Sequence, residues 1–415
     1  MARPIQRAGH MKTQQAVSLP AVRCVVVVAV GLVVGLHVFG GWPSLHLNVY
    51  RLDLDVYRIG AQRWLHGWPL YDLFPVTRVG PPLSFTYPPV AAVLFSPLVV
   101  LPLGVDSALI TLVSVVLLGV AIWVVLQAQG YPHRWWWVVA AMPVALLLEP
   151  VAKTLQLGQI NLLLLTAMLA DSLVKRALWP RGLLTGLAAA VKLTPLVGLL
   201  FFFLRGDRKA VRNGVLSFAC ATGAGALLAP RESLRYWTST VFAVNRIGDP
   251  IRAETQNLRA VMIRLGLAGP VGTAVWAVVA AAVLALGAVA ARKALRAKQP
   301  GLALVLVAIA GVIASPMSWS HHWVWCVPAL LILADLGRHH WMPRWLAITG
   351  VLLFLVPPQG LLPHGAGAEH GWALWQQMAG AGYVCWALLL LCAAAAAPDQ
   401  WSTPARDSEP ARSTA

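Results

Sequence analysis

Long apolar runs alternate with short polar loops along almost the whole chain. A first run covers 24–39, and further runs follow a charged stretch. These further runs cover approximately 88–103, 105–128, 135–148, 156–173, 182–204, 211–229, 269–291, 301–317, 322–336, 345–357 and 372–397. A helix needs roughly 20 apolar residues to cross a bilayer, so we expect several shorter runs to be re-entrant or broken. The pattern predicts an all-α polytopic membrane protein with about 11–13 transmembrane or re-entrant helices.

The charged stretch at 51–68 has an amphipathic pattern instead. On a helix, Tyr57 and Trp64 share one side, whereas Arg58 lies on another. Tryptophans at headgroup depth with basic groups turned toward water or phosphate are typical of a helix in the membrane interface. We therefore predict a short interfacial helix within a first external loop at about 41–87.

Composition supports the same class. Of the 415 residues, 59% are hydrophobic and 11% are charged, and the mean hydropathy is +0.70. The net charge of +17 comes from Lys and Arg scattered through short loops and the tails. This scatter favours orientation in a membrane with anionic lipids over nucleic-acid binding. The five cysteines lack metal-ligand spacing, so we expect packing roles, no metal site and no cofactor.

Basic clusters predict the topology of the carboxy-terminal half. They lie at 205–212, 292–298 and 338–344, each two apolar runs apart, and mark cytoplasmic loops. The loops at 230–268, 318–322 and 358–371 are then external. Both termini are expected in the cytoplasm, and the loop at 318–322 on the same side as Asp53.

The topology of 88–204 has two solutions. If every run crosses the bilayer, Lys175, Arg176 and Arg181 lie outside, against the charge rule. A hairpin around Lys192 and one non-crossing segment near 88–103 would return them to the cytoplasm. In either case no soluble domain separates, so we expect one membrane domain at 1–397. A polar tail at 398–415 is expected to be disordered and cytoplasmic.

Two carboxylates, Asp53 and Asp55, open the interfacial helix. In a chain with few charges, a charged cluster at a membrane surface is a candidate site. The alternative is that one carboxylate caps the helix by accepting the free amides of its first turn. The local pattern alone favours the cap.

Polar groups inside the apolar runs form a second candidate set. Gln159 and Asn161 open one run, and Lys192 stands in another, followed by Pro195, which would break the helix. A cation at this depth needs a counter-charge, an acidic ligand or a route to the interface. A purely structural explanation, in which Lys192 snorkels to the interface or pairs with Glu149, fits the sequence equally well.

His321 and His322 stand in the external loop SPMSWSHHWVW. Tryptophans surround them, so they can be ordinary residues of an interfacial aromatic belt. Histidine is also the side chain best suited to take a proton near neutral pH. The sequence therefore leaves both roles open.

Five ordered motifs resemble those of one family. They are LDLDVYRIGAQRWLHGWPLYD, FTYPPVAAVLFSPL, LEPVAKTLQLGQINLLLL, GLLTGLAAAVKLTPLVGLL and SPMSWSHHWVW. Together, over about 20–336, they resemble glycosyltransferase family 87, the GT-C-type α-(1→2)-mannosyltransferases of actinobacterial envelopes that use polyprenol-phosphate mannose. One departure is Thr255-Gln256-Asn257, where the family pattern has an NQS-like triplet, so no headgroup contact is assigned to it.

The resemblance implies roles for particular residues. It places the catalytic aspartate on Asp53, in D-L-x-V-Y-R, with Asp55 at a variable position, and the second functional group on His321 or His322. Asp53 would orient and polarise that histidine. Arg58, Arg63 and Lys192 are candidates for the donor phosphate, with Gln159 and Asn161 as further substrate contacts. Among these three cations, Arg58 belongs to the motif and is preferred.

The implied reaction is an inverting transfer of mannose to a glycolipid, of phosphatidylinositol mannoside or lipomannan type, at the external face of the plasma membrane. Transfer of another lipid-linked sugar is the nearest alternative. A non-enzymatic lipid or sugar transporter is the other, and it predicts inverted repeats. No second copy of DLDVYR or SHHW is present in the sequence.

Overall fold

The computed structural model describes residues 50–74, 83–131, 134–365, 367–396 and 401. The predicted first span at 24–39 lies outside the described residues, as do parts of the first loop and most of the tail. In the described ranges the chain is helical, without a strand, apart from an isolated bridge between Thr255 and Trp319. The all-α prediction is confirmed for this part of the chain.

Seventeen α-helices are present among the described residues. They are α1 (Leu52–Leu65), α2 (Pro89–Leu94), α3 (Leu103–Ala128), α4 (Arg134–Leu147), α5 (Glu149–Leu157), α6 (Asn161–Leu173), α7 (Leu183–Val191), α8 (Gly198–Leu204), α9 (Arg208–Leu228), α10 (Pro230–Thr238), α11 (Leu258–Arg264), α12 (Gly269–Arg296), α13 (Pro300–Ala314), α14 (Cys326–Leu336), α15 (Trp341–Leu355), α16 (Leu374–Gly380) and α17 (Gly382–Ala396). Among the 3₁₀ turns, Thr194–Val197 and Ser320–Trp325 concern the site.

Four segments among the described residues are long and apolar enough to cross a membrane. They are α3, α9, α12 and the stretch Trp341–Gly360. The pairs α4–α5 and α16–α17 are bent by 75° and 69°, and counting each as one broken span raises the number to six. The chain is thus a polytopic membrane protein in which several apolar runs are broken, as their lengths predicted.

The core contains helices that are too short to span alone. α13 is 15 residues long and buried along most of its length, packed between α12, α14 and α17. Trp401, the one described residue of the predicted tail, is 3% exposed and belongs to the same apolar cluster. The rest of the tail lies outside the described residues.

α1 packs in a second apolar cluster. Leu54, Tyr57 and Ala61 are buried against Phe85 and Phe95, on the segment that leads through α2. The helix predicted at this position is confirmed, and its placement in the membrane interface stays a prediction. Farther along, Leu65 and Trp68 are 53% and 57% exposed. This packing fixes the first turn of α1 relative to the rest of the domain.

Candidate active site

Asp53 lies in the first turn of α1, but it does not cap the helix. The N-cap residue is Arg51, which makes no side-chain cap hydrogen bond. The buried Arg51 guanidinium instead donates to Ser107 Oγ at 2.7 Å and to the Leu155 carbonyl. These bonds attach the start of α1 to α3 and α5. The capping explanation for the carboxylate is therefore wrong.

A glutamine from another element holds the Asp53 carboxylate. Gln159 Nε2 donates to Asp53 Oδ2 at 2.8 Å. The Gln159 Oε1 accepts from the hydroxyls of Tyr57 at 2.7 Å and Tyr87 at 3.2 Å. Because the hydroxyls occupy the carbonyl end, the amide group must turn its NH₂ toward the carboxylate. Gln159 is thus an orienting group whose polar atoms already have protein partners.

The position of Gln159 depends on Gly158, which ends α5. Gly158 has φ +70°, a left-handed conformation that favours glycine. A Cβ there would lie 3.0 Å from the Cβ atoms of Arg51 and Leu54. Glycine therefore allows both the turn and the close approach of α5 to α1.

Lys192 brings a cation to the same place. It stands in extended backbone between α7 and the 3₁₀ turn that contains Pro195. Its Nζ lies 3.0 Å from Asn161 Oδ1, 3.3 Å from His322 Nε2 and 5.6 Å from the centre of the Tyr87 ring. The helix break therefore directs the ammonium into the protein.

Glu149 does not pair with Lys192 among the described contacts of the two residues. Glu149 instead accepts hydrogen bonds from Ser320 Oγ at 2.6 Å and from the Tyr383 hydroxyl at 2.8 Å. Its carboxylate therefore binds the loop at 318–322, called the histidine loop below because it carries His321 and His322.

Asn161 connects the lysine to the histidine loop. Its Nδ2 donates to the His321 carbonyl at 2.8 Å, while its Oδ1 accepts from Lys192. Thr154 Oγ1 also donates to the His321 carbonyl, at 3.0 Å. Asn161, like Gln159, is consequently occupied by protein groups, which assigns it to positioning rather than to direct substrate contact.

The two histidines have different surroundings. His321 is 7% exposed, whereas His322 is partly exposed and faces Lys192. Burial, and next the charge of Lys192, hold the pKa of both imidazoles well below its usual range. Both rings are therefore neutral at neutral pH. Among the described residues, His321 Nε2 and His322 Nδ1 are buried without a hydrogen-bond partner.

The expected contact between Asp53 and a histidine takes an indirect form. In the described part of the chain, the side chain of Asp53 accepts its hydrogen bond from Gln159. His322 contacts Lys192 instead of the carboxylate. Burial raises the pKa of Asp53 to about 6, while the Gln159 hydrogen bond and the Lys192 charge oppose the rise. A carboxylate with this pKa is ionised at neutral pH and still able to take a proton.

The segment 254–257 is a part of the site that the sequence did not reveal. Gln256 N donates to the Ser318 carbonyl at 2.8 Å, and Ser320 N donates to the Glu254 carbonyl at 2.7 Å. Trp323 Nε1 donates to the Gln256 carbonyl at 3.0 Å. Thr255, Gln256 and Asn257 are fully buried. The atypical triplet therefore positions the histidine loop, and no local signal indicated this long-range pairing.

The two arginines predicted to bind phosphate lie elsewhere. Arg58 forms an ion pair with Asp106 and donates to the Leu101 carbonyl at 2.8 Å. Arg63 donates to the Pro69 carbonyl at 2.6 Å and lies 4.9 Å from the centre of the Phe74 ring. Both contacts attach α1 to neighbouring segments, which favours a structural role for Arg58 and Arg63 over binding of a phosphate.

Asp55 also faces away from the cluster. It is buried and accepts a hydrogen bond from the Tyr50 hydroxyl at 2.9 Å. The carboxylate, amide, ammonium and imidazole that do meet belong to Asp53, Gln159, Lys192 and His322.

Comparison with known proteins gives one consistent match. The family model described as "Glycosyltransferase family 87" matches residues 85–316. A protein of Mycobacterium tuberculosis named polyprenol-phosphate-mannose-dependent alpha-(1-2)-phosphatidylinositol mannoside mannosyltransferase is 38% identical over 401 residues, which cover 92% of each chain. A protein of the same name from Mycolicibacterium smegmatis is 41% identical over 375 residues, or 85% of each chain.

A third relative carries a narrower name. It is a polyprenol-phosphate-mannose-dependent alpha-(1-2)-phosphatidylinositol pentamannoside mannosyltransferase of Mycobacterium tuberculosis. It is 33% identical over 290 residues, which are 68% of this chain and 66% of the relative. No solved structure matches the chain significantly.

Proposed function

The chain belongs to glycosyltransferase family 87, and on that premise we propose that it transfers mannose from polyprenol-phosphate mannose to a phosphatidylinositol mannoside. The names of its relatives give the donor and the acceptor class. The two relatives that match the larger share of the chain are named for phosphatidylinositol mannoside without a stated mannose number, which favours that broader acceptor class here.

Asp53 is the proposed base. The acceptor hydroxyl gives its proton to the carboxylate, and its oxygen forms a bond with the anomeric carbon of mannose. The bond from that carbon to the phosphate oxygen breaks, and polyprenyl phosphate leaves with the electron pair. Phosphate is a good leaving group, so no acid is needed opposite the base. The ionised carboxylate also favours the positive charge that develops on the sugar.

The observation that carries this proposal is the environment of the Asp53 carboxylate. One oxygen is held by Gln159 at 2.8 Å, which leaves the other to meet a hydroxyl. The raised pKa, about 6, suits proton transfer near neutral pH. A capping or ion-paired carboxylate would have a lowered pKa and would be a poor base.

Lys192 is the proposed partner of the donor phosphate. Two of its three N–H groups point to Asn161 and His322, so one remains for a phosphate oxygen. This assignment replaces Arg58 and Arg63 with a cation that lies in the same cluster as Asp53.

We place the site on the external face of the plasma membrane, in a single multi-pass domain. The alternation of basic loops puts the loop at 318–322 on the same side as Asp53. The Lys192–His322 contact supports this placement because it joins that loop to the cluster around Asp53. Surrounding lipids and the two lipid-linked substrates are then the expected partners.

Reconstituted transfer tests the proposal. The purified protein in liposomes is incubated with labelled polyprenol-phosphate mannose and a panel of phosphatidylinositol mannosides of increasing mannose number. We expect label in an inverted, α-linked product, and about 100-fold less or lower still with the Asp53→Asn protein. Transfer only from a different lipid-linked sugar would overturn the donor, and label crossing the bilayer without transfer would favour a transporter.

A further inference from the structure

Lys192 and His322 meet through two nitrogen atoms that cannot both donate. Lys192 Nζ lies 3.3 Å from His322 Nε2 and 3.0 Å from Asn161 Oδ1. An ammonium group carries three donors and no acceptor. Burial lowers the pKa of this lysine to about 8 and the charge of Asp53 opposes the shift, so the ammonium form prevails at neutral pH. The imidazole Nε2 must then be the acceptor of the contact.

This contact determines where the proton of His322 lies. A neutral imidazole has one protonated and one unprotonated nitrogen, and the hydrogen bond made by one of them selects the tautomer. Since Nε2 accepts from Lys192, Nδ1 carries the proton. Lys192 also opposes a second proton on the ring, because that proton would put two positive charges side by side.

The Nδ1–H group is buried and has no partner among the described residues. Leaving a buried donor without a hydrogen bond is costly, so native structures seldom retain one without a ligand or water to accept it. The ring is partly exposed, and the cationic Nζ of Lys192 lies 3.3 Å from its Nε2. A positive field of this kind favours an oxyanion as the missing acceptor.

We infer that His322 is a neutral hydrogen-bond donor that contributes Nδ1–H to a phosphate oxygen of the donor substrate, and that Lys192, besides its own phosphate contact, fixes this tautomer. The inference rests on the proposed mannosyl transfer. It also removes His322 as the proton acceptor of the reaction, because one ring nitrogen is engaged by Lys192 and the other is already protonated. Proton transfer from the acceptor hydroxyl is then left to Asp53.

Two amide substitutions distinguish the ring nitrogens. The side-chain NH₂ of His322→Asn can take the place of Nδ1–H. The amide of His322→Gln reaches the place of Nε2, where its oxygen accepts from Lys192, and it leaves no donor at the place of Nδ1. We expect His322→Asn to keep transfer within about tenfold of wild type and His322→Gln to lose about 100-fold or more. The loss should include weaker inhibition by the product polyprenyl phosphate, since the phosphate contact is removed. The same pair at His321, which does not contact Lys192, is the matched control and should not show this ranking.

Nitrogen-15 solid-state NMR of the histidine-labelled, lipid-reconstituted protein gives a readout that is independent of activity. His322, identified by its loss in His322→Asn, should show a protonated Nδ1 and an unprotonated Nε2. Lys192→Met should change this tautomer signature while Lys192→Arg retains it. A protonated Nε2 in the wild type, an imidazolium, or a His322→Gln protein more active than His322→Asn would each overturn the inference. Failure of the proposed function would instead appear as absence of transfer in the wild type, with the tautomer unaffected.

Discussion

Gln159 Nε2 donates to Asp53 Oδ2 at 2.8 Å, and through this bond the α5–α6 connection holds a carboxylate that belongs to α1. The tyrosine hydroxyls at its Oε1 fix the direction of the amide. The carboxylate is thus held by a neutral donor, which orients it without lowering its basicity as strongly as a direct ion pair would. Substitutions at Asp53 and Gln159 can therefore change the basicity of the carboxylate without unfolding the protein.

Asp53→Asn should reduce mannose transfer by about 100-fold or more while the protein remains folded. The amide is nearly isosteric with the carboxylate but cannot accept the acceptor's proton. Transfer per folded protein and elution on size exclusion are the two measurements. Asp55→Asn removes the same charge two residues away, from a carboxylate that faces Tyr50, and should cost much less. Near-normal transfer by a well-folded Asp53→Asn protein would refute the assignment of the base.

The pH profile of transfer should have an acidic limb near 6. Burial raises the pKa of Asp53 to about 6, against the opposing effects of Gln159 and Lys192. The base must be ionised, so transfer is lost as pH falls through this value. The effect of this shift on stability has the opposite sign. Because the folded pKa of Asp53 lies above the unfolded value, the group stabilises the fold at low pH, and this stabilisation is lost as pH rises through about 6. Loss of activity near pH 5 is therefore not expected to come from unfolding through this group, which thermal melts at each pH would check.

Gln159→Leu should move that acidic limb to higher pH. The Gln159 hydrogen bond lowers the pKa of Asp53, so its removal leaves burial less opposed. Activity at neutral pH should fall and partly recover at alkaline pH. Tyr57→Phe, which removes only the hydroxyl bonded to Gln159 Oε1, should shift the limb in the same direction by less. An unchanged limb in Gln159→Leu would show that a different group sets it.

The fold class, the helix α1 and part of the site could be predicted from the sequence. Spacing and composition were sufficient for the all-α membrane architecture and for α1, because both depend on local apolar periodicity. Lys192 could be identified as unusual because a cation inside an apolar run requires an explanation. The direction in which its ammonium points could not be predicted, because Asn161 and His322 reach it only after α6, α7 and the histidine loop pack together.

The failures have the same cause. Arg58 looked available for phosphate because Asp106, its partner, lies on α3, 48 residues away. The role of Gln256 depends on Ser318 and Trp323, which are farther still along the chain. Residue type and local period indicate which groups are polar and buried, but not which distant groups they contact.

Arg58→Met should reduce stability rather than donor affinity. The Asp106 side chain is 0% exposed, and an unpaired buried carboxylate costs about 3–5 kcal/mol. We expect a lower thermal midpoint in detergent, an unchanged KM for polyprenol-phosphate mannose in the folded fraction, and partial recovery in the double variant Arg58→Met/Asp106→Asn. A raised KM with normal stability would restore the phosphate role that the structure argues against.

Gly158→Ala should impair the site through the backbone. Its φ of +70° costs an alanine roughly 1–2 kcal/mol. The new Cβ would also lie 3.0 Å from the Cβ atoms of Arg51 and Leu54, which must then move. Both of these residues belong to the start of α1, and Gln159 follows the glycine directly. The separation of α5 from α1 should therefore weaken the bond from Gln159 to Asp53 and reduce transfer at neutral pH.

Gly206→Ala is the matched control, because Gly206 has a similar φ of +80° but no atom within 4 Å of the position that a Cβ would take. It should lower the thermal midpoint by the backbone cost alone and leave transfer per folded protein unchanged. If Gly158→Ala behaved in the same way, the close approach of α5 to α1 would have no part in positioning Asp53. If instead its acidic limb moved upward as in Gln159→Leu, the backbone and the amide would be shown to act on the same carboxylate.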